Sequence, residues 1–389
     1  MIGSIRDHAT GGKQSRTPLT VRPGWLDSAG AAPRAARMTT NRALRHLRPW
    51  LTLAAALVAP ATAQAEIVLP AGFTARVYVT GDGFGGSTEV RGRGIPTTPT
   101  LAVDHTGALY LARSGRRYSG GEFDYLTSVY RIKAGGAQLT ATTEARYFHG
   151  PPLHNAQVSG GRGGRELFVT TFDRDRRVGV LYRLIDGRIL FFAGGTPDPG
   201  TPPVLVQPEG AAVDSAGNVY VADRDRGVVV RFDPTGRVLD PSYLRVTRPR
   251  TLTVDDTDHL WVGSDGSAEA PWQAGPGELW RVAPGGERRL MVEGLVFQGL
   301  SPGPGGSVFV ADRQGNEIFG VTADGNRLSL ARFTDGDAPR GLVFVPDTAE
   351  TRAAGLAGDL LVSVIRTGVF QLNQIVRISG PFSDLARRR

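Results

Sequence analysis

The chain has 389 residues and no cysteine, with 52 glycines and 26 prolines scattered between short apolar runs. The missing cysteines exclude disulfides, thiolate metal ligands and a cysteine nucleophile, and scattered Gly and Pro fit many tight turns better than a disordered chain. The formal net charge is +8, yet residues 1–65 hold nine Lys or Arg against two Asp, and the other 36 basic and 35 acidic residues nearly cancel, so charge gives no warrant for a nucleic-acid partner.

Residues 1–37 are rich in Arg, Gly and Pro without periodicity and read as an over-extended start or a disordered tail. From Met38 the pattern changes. Arg42, Arg45 and Arg48 precede an apolar run from Leu51 to Val58, and Ala63-Gln64-Ala65 offers a small-residue cleavage site before Glu66. This is the grammar of a signal peptide over 38–65, too short in its apolar part to span a bilayer. The expectation is a secreted or periplasmic protein of residues 66–389, with no membrane span in the mature chain.

The next predicted element is a strand, GFTARVYVTG at 72–81. A repeat follows. TPTLAVDHTGALYLA at 98–112, RPRTLTVDDTDHLWVGS at 248–264 and FQGLSPGPGGSVFVAD at 297–312 each read as a loop with Pro or Gly, a short strand, a polar turn and a second apolar strand. PEGAAVDSAGNVYVADRDRGVVVRFDPTGRVL from Pro208 is the most regular copy, and looser copies run from His154 and Ala338. Third strands (SVYRIK, GVVVRFDP, GELWRVAP, NQIVRIS) come next, with fourth strands such as GRILFFAG and NRLSLARF beyond a Gly turn. Turns such as DPTG and TADG combine an Asp that bonds its own backbone with a Gly that accepts positive φ. Six copies start near 98, 154, 207, 248, 297 and 338, a period of about 40 to 55 residues, which is that of propeller blades. The sixth copy stops after its third strand, so the strand at about 73–80 is expected to complete that blade and close the ring. The fold class is therefore all-β, a six-bladed propeller of four-stranded antiparallel blades.

The stretch from Pro208 resembles an NHL repeat. The array over residues 66–389 is similar to the six-bladed superfamily that includes the senescence-marker-protein and gluconolactonase enzymes. In a propeller the innermost strands line a central channel, and the residues just before them ring one mouth. Here these are Thr100, Asn155, Glu209, Arg250, Gln298 and Arg340. The resemblance implies a divalent cation, Ca²⁺ or similar, held by carboxylate and amide oxygens at such positions to polarise a lactone. Asn155 and Glu209 match that pattern; Gln298 is neutral where an acid is expected, and Arg250 and Arg340 oppose a cation.

Read from the residues alone, Arg250, Arg340 and Arg113, with Glu209 as counter-charge, suit a small anionic or sugar-like ligand, or else form salt bridges that pin loops. Asp223 and Asp312, each closing a second strand, are either a carboxylate pair facing the channel or local partners for Arg224, Arg313 and backbone amides. His149 and His154 lie on a Pro-rich loop where a base or ligand could sit. Because LPAGFTARVYVTG resembles the opening of quinone-dependent sugar dehydrogenases, such an enzyme is a further alternative. No nucleophile-elbow motif is present. Insertions at 81–99, 113–128 and 264–278, with aromatic residues, could lid the mouth. The overall expectation is a monomeric exported module that binds a small ligand or a protein partner through its mouth; a metal-dependent lactone hydrolase is the principal alternative.

Overall fold

Strands with period-two burial dominate the structure. In the run Val219–Asp223, Val219 and Val221 pack toward one neighbouring sheet while Tyr220 and Ala222 pack toward the other. The structure is a computed structural model. It describes residues 67–81, 95, 100–112, 129–139, 154–173, 175–185, 188–267, 275–334, 336–365 and 373–385, with only the backbone of Gln138, Leu139, His154, Asn155 and Arg162. These residues fall within one compact unit, Thr62–Arg389. The proposed leader, the tail at 1–37, Arg113, His149, most of the 81–99 insertion, all but the ends of the 264–278 insertion and the whole of 113–128 lie outside the described residues.

Six sheets form the blades of a propeller. Their innermost strands are Leu101–Val103 (blade I), His154–Gly160 (II), Pro208–Val213 (III), Pro249–Val254 (IV), Phe297–Pro302 (V) and Ala338–Phe344 (VI). Blades II, III and IV each contain four consecutive antiparallel strands. A hydrophobic cluster fills each of the six gaps between neighbouring blades. Fully buried Phe232, Phe297 and Phe319 belong to these gaps, and each such side chain contributes about 1.5–3 kcal/mol.

The ring closes at its chain ends. Thr74–Gly81 pairs antiparallel with Gln374–Ser379, from Thr74 opposite Ser379 to Val79 opposite Ile375, and so supplies the fourth strand of blade VI. Three blades depart from a strict four-strand pattern. Ile67–Val68 adds a fifth strand to blade V beside Arg327–Phe333. Blade I shows three strands among the described residues, because Ala137–Leu139, instead of returning along its own sheet, runs parallel to Thr74–Gly81 as a fifth strand of blade VI. Two local contacts draw it there. The Gly135 amide donates to the Tyr78 hydroxyl at 3.0 Å, and Gly136 approaches the Tyr78 carbonyl so closely that a Cβ would lie 2.1 Å from it.

At the foot of the blades, where first strand turns into second, one arrangement recurs. Asp104, Asp214 and Asp255 each accept amide N–H groups two and four residues on, at 2.8–3.0 Å. Each also accepts from the aromatic side chain six residues on: the Tyr110 hydroxyl at 3.2 Å, the Tyr220 hydroxyl at 3.0 Å and the Trp261 indole at 2.8 Å. The residue directly across the sheet from that aromatic is an arginine, Arg131, Arg231 or Arg281, which stacks on the ring and meets the same aspartate.

Candidate functional site

The residues that ring the mouth occupy a shared backbone device. In blades II to VI the pairing of first and second strands shifts register between His154 and Gln157, Pro208 and Ala211, Pro249 and Thr251, Phe297 and Gly299, and Pro339 and Leu342. Asn155, Glu209, Arg250, Gln298 and Arg340 therefore sit in bulges, which free a residue from the ladder and re-aim its side chain. Glycine follows Glu209 and Gln298 for a steric reason. A Cβ on Gly210 would lie 2.6 Å from the Arg250 carbonyl oxygen, and one on Gly299 would lie 2.2 Å from that of Arg340.

Glu209 is the hub of the belt so formed. It is 1% exposed. Its Oε2 accepts from the Gln157 amide at 2.9 Å and its Oε1 from the Gln207 amide at 3.0 Å, while Arg224 Nε stands 3.7 Å from Oε1. The Thr170 hydroxyl donates to the Glu209 carbonyl. Arg224 also donates to Asp265 Oδ2 at 3.2 Å, and Asp265 Oδ1 accepts from Arg250 Nε at 2.8 Å. Blades III and IV are thus joined by alternating buried charges, and blade II is tied to them through the neutral Gln157 and Thr170 side chains. Such a network is stable only when each charge has its partner.

Other candidates take quieter positions. The Thr100 hydroxyl accepts from the Val158 amide at 2.9 Å, tying blade I to blade II. Gln298 donates to the carbonyl of Phe297 at 2.9 Å. Asp223 accepts from the amides of Val206 and Gln207 at 2.8 and 3.1 Å and stands 3.8 Å from Arg226. Arg224, its sequence neighbour, turns instead to Asp265 and Glu209. Asp312 accepts from the amides of Val296, Gln314 and Gly315, each at 3.1 Å. Both aspartates pin the loop leading into their own blade's first strand. Burial holds the Asp223 carboxyl above its usual range, against the pull of the two amides and Arg226.

On the other flank of the belt the charge is one-sided. Burial, and then the like charges of Arg313 and Arg250, push the Arg340 guanidinium down to about 9. Arg250 Nη2 and Arg340 Nε are buried without a hydrogen-bond partner. Beyond the belt toward the foot the channel widens into a cavity of about 400 Å³, lined by Ala211, Val213, Thr251, Ser301 and Leu342 among others, with Asp255, Asp256 and Asp347 near its far end.

The metal reading fits this geometry poorly. Glu209 is faced by amide N–H donors and a guanidinium, which is the opposite of what a cation requires. Among the described residues no three His, Asp or Glu side chains form a group that could hold a metal ion, and the Asn155 and His154 side chains lie outside that description. Residues that sequence reasoning passed over as site members are Gln157, Gln207 and Asp265. Asp265 could have been found by register, since it follows the second strand of blade IV as Arg224 and Arg313 follow theirs.

With the geometry in place, the protein is defined as a six-bladed β-propeller, and comparison with known proteins agrees. Residues 205–232, which take in the first three strands of blade III, match the NHL repeat family. The fold is similar to the PQQ-bound aldose sugar dehydrogenase of Streptomyces coelicolor, at 12% identity over 80% of this chain and 99% of that one, with a TM-score of 0.53. It is also similar to a candidate glucose dehydrogenase from Thermus thermophilus (14% identity, 79% and 100% coverage, TM-score 0.52). A candidate gluconolactonase solved by structural genomics gives 17% identity, 80% and 94% coverage and a TM-score of 0.50. At these identities the likeness is one of fold. No curated protein sequence matches the chain.

Proposed function

We propose that the protein is an exported, monomeric binding module that takes a small ligand at the channel mouth. The observation that carries this reading is the state of Glu209. Both its oxygens are held by Gln157, Gln207 and Arg224, so it forms a fixed wall of a prepared site. The bulges and the buried ion pairs fix the belt before any ligand arrives, which lowers the ordering cost of binding. The leader grammar at 38–65 supports export, and no helix among the described residues is long and apolar enough to cross a membrane.

Bound-metal analysis together with lactone hydrolysis tests the reading. A metal-free protein that turns over no lactone, yet melts at a higher temperature with a ligand that the mouth variants fail to bind, is the expected result. A chelator-sensitive lactonase would overturn it. N-terminal sequencing of the exported protein should begin at Glu66.

A further inference from the structure

We propose that the mouth holds a small dianion, a dicarboxylate or a phosphate ester, among the guanidinium groups of Arg250, Arg313 and Arg340. This rests on the mouth being a binding site and specifies the chemistry it takes.

The first ground is charge. Around the belt, Arg224 and Arg250 are matched by Glu209 and Asp265, all within 4 Å of an opposite charge. Arg313 and Arg340 have no carboxylate partner among the described residues. Asp312, beside Arg313, spends its oxygens on the backbone amides of Val296, Gln314 and Gly315. Two positive charges, both on half-buried side chains, are therefore left over.

The second ground is unmet hydrogen bonding. Arg250 is 4% exposed and spends its Nε on Asp265, yet its Nη2 has no acceptor; Arg340 Nε is likewise buried and unmet. Guanidinium donors in a fixed fork match the paired oxygens of carboxylate or phosphate. The three arginines come from three places, namely the bulges of blades IV and VI and the end of the second strand of blade V. Arg313 and Arg250 nonetheless lie near enough to Arg340 for their charges to act on it. A small oxyanion of charge about −2 would satisfy the open donors and remove the surplus charge. An extended polyanion would not fit, because Arg250 lies too deep for a surface phosphate to reach.

The experiment is calorimetric titration and thermal melting of the full chain with inorganic phosphate, succinate, acetate and glucose. Phosphate or succinate is expected to bind and to raise the melting temperature, and the stronger of the two tells whether phosphoryl or dicarboxylate chemistry is read. Acetate and glucose should have little effect. Arg340→Gln and Arg313→Gln should each weaken dianion binding at least tenfold, and Arg340→Lys, which keeps the charge and loses the fork, should weaken it by less. Without ligand, Arg340→Gln should melt no lower than the parent, because it removes a like charge. If dianions bind the parent and the Gln variants equally, or if no dianion binds, the inference falls. Glucose binding that survives Arg340→Gln would overturn the inference and leave the mouth standing as a binding site; loss of all binding at the mouth would remove both.

Discussion

The two ends of the blades are built on opposite plans. At the foot, Asp, aromatic and Arg recur together in blades I, III and IV, with the same hydrogen bonds and the same cross-strand pair. Blade V keeps an aromatic, Phe309, which has no donor, but has Gly303 in place of the aspartate and Gly320 in place of the arginine. Blades II and VI keep a cross-strand arginine but pair it with another carboxylate: Arg183, opposite Phe168, meets Glu166, and Arg377, opposite Leu361, meets Asp359. At the mouth the backbone device is shared, but Asn155, Glu209, Arg250, Gln298 and Arg340 differ from blade to blade. Repetition marks what holds a blade together, and departure from repetition marks what a ligand could read.

Substitutions at each end put that contrast to the test. The largest effect is expected from Glu209→Ala, which leaves the Gln157 and Gln207 amides without this acceptor and leaves buried Arg224 and Arg250 sharing Asp265 alone, and should cost about 3–5 kcal/mol in chemical denaturation. A loss below about 1 kcal/mol, the size of an ordinary substitution, would show that Glu209 is not the hub of the belt. At the foot, Asp255→Ala should cost about 2 kcal/mol by leaving the Trp261 indole and two amides without an acceptor; the matching change Asp214→Ala should cost a similar amount if the trio is a true repeat.

The acid response should differ in sign between the ends. Burial raises Asp255, but the Thr257 hydroxyl, the Trp261 indole and the His259 and Thr257 amides outweigh it, and its folded value lies below the unfolded one. Its stabilisation is complete above about pH 4 and is lost as pH falls through the folded value. Asp223 is the reverse. With its value raised, the fold gives up stability as pH rises from about 4 through the folded value, and recovers it on acidification. Stability–pH curves of Asp255→Asn and Asp223→Asn should therefore diverge from the parent in opposite directions. The smallest change is expected for Arg340→Gln, within about 0.5 kcal/mol of the parent or slightly above it; a large loss would mean that Arg340 is a structural pin.

Much of the architecture was legible because it is periodic. Alternation in VYVAD and VVVRF, the DPTG and TADG turns and the missing fourth strand of the last copy led to six blades and to their closing strand. The path of Ala137–Leu139 was not legible, since a parallel partner 58 residues earlier, as at Val79 and Ala137, leaves no local pattern. At the mouth, register placed Glu209, Arg250, Gln298 and Arg340 on one ring. It could not show that Glu209 would be saturated by Gln157 and Gln207, because side-chain pairing across blades depends on bulges that no propensity encodes. Nor could it separate Arg224, which serves a neighbouring blade, from Arg226, which stays with Asp223.

The stitched seam has a consequence for how the molecule is made. Thr74–Gly81 cannot find Gln374–Ser379 until about 300 residues between them have been synthesised, and pairing at such separation is slow because loop closure comes before its reward. Blades II to IV are each assembled from neighbouring strands and need no such wait. The ring should therefore exist for a time as an open arc with its first strand unpartnered, a species prone to pairing with other copies. On the exported reading proposed above, that delay is an advantage, since the last latch falls late.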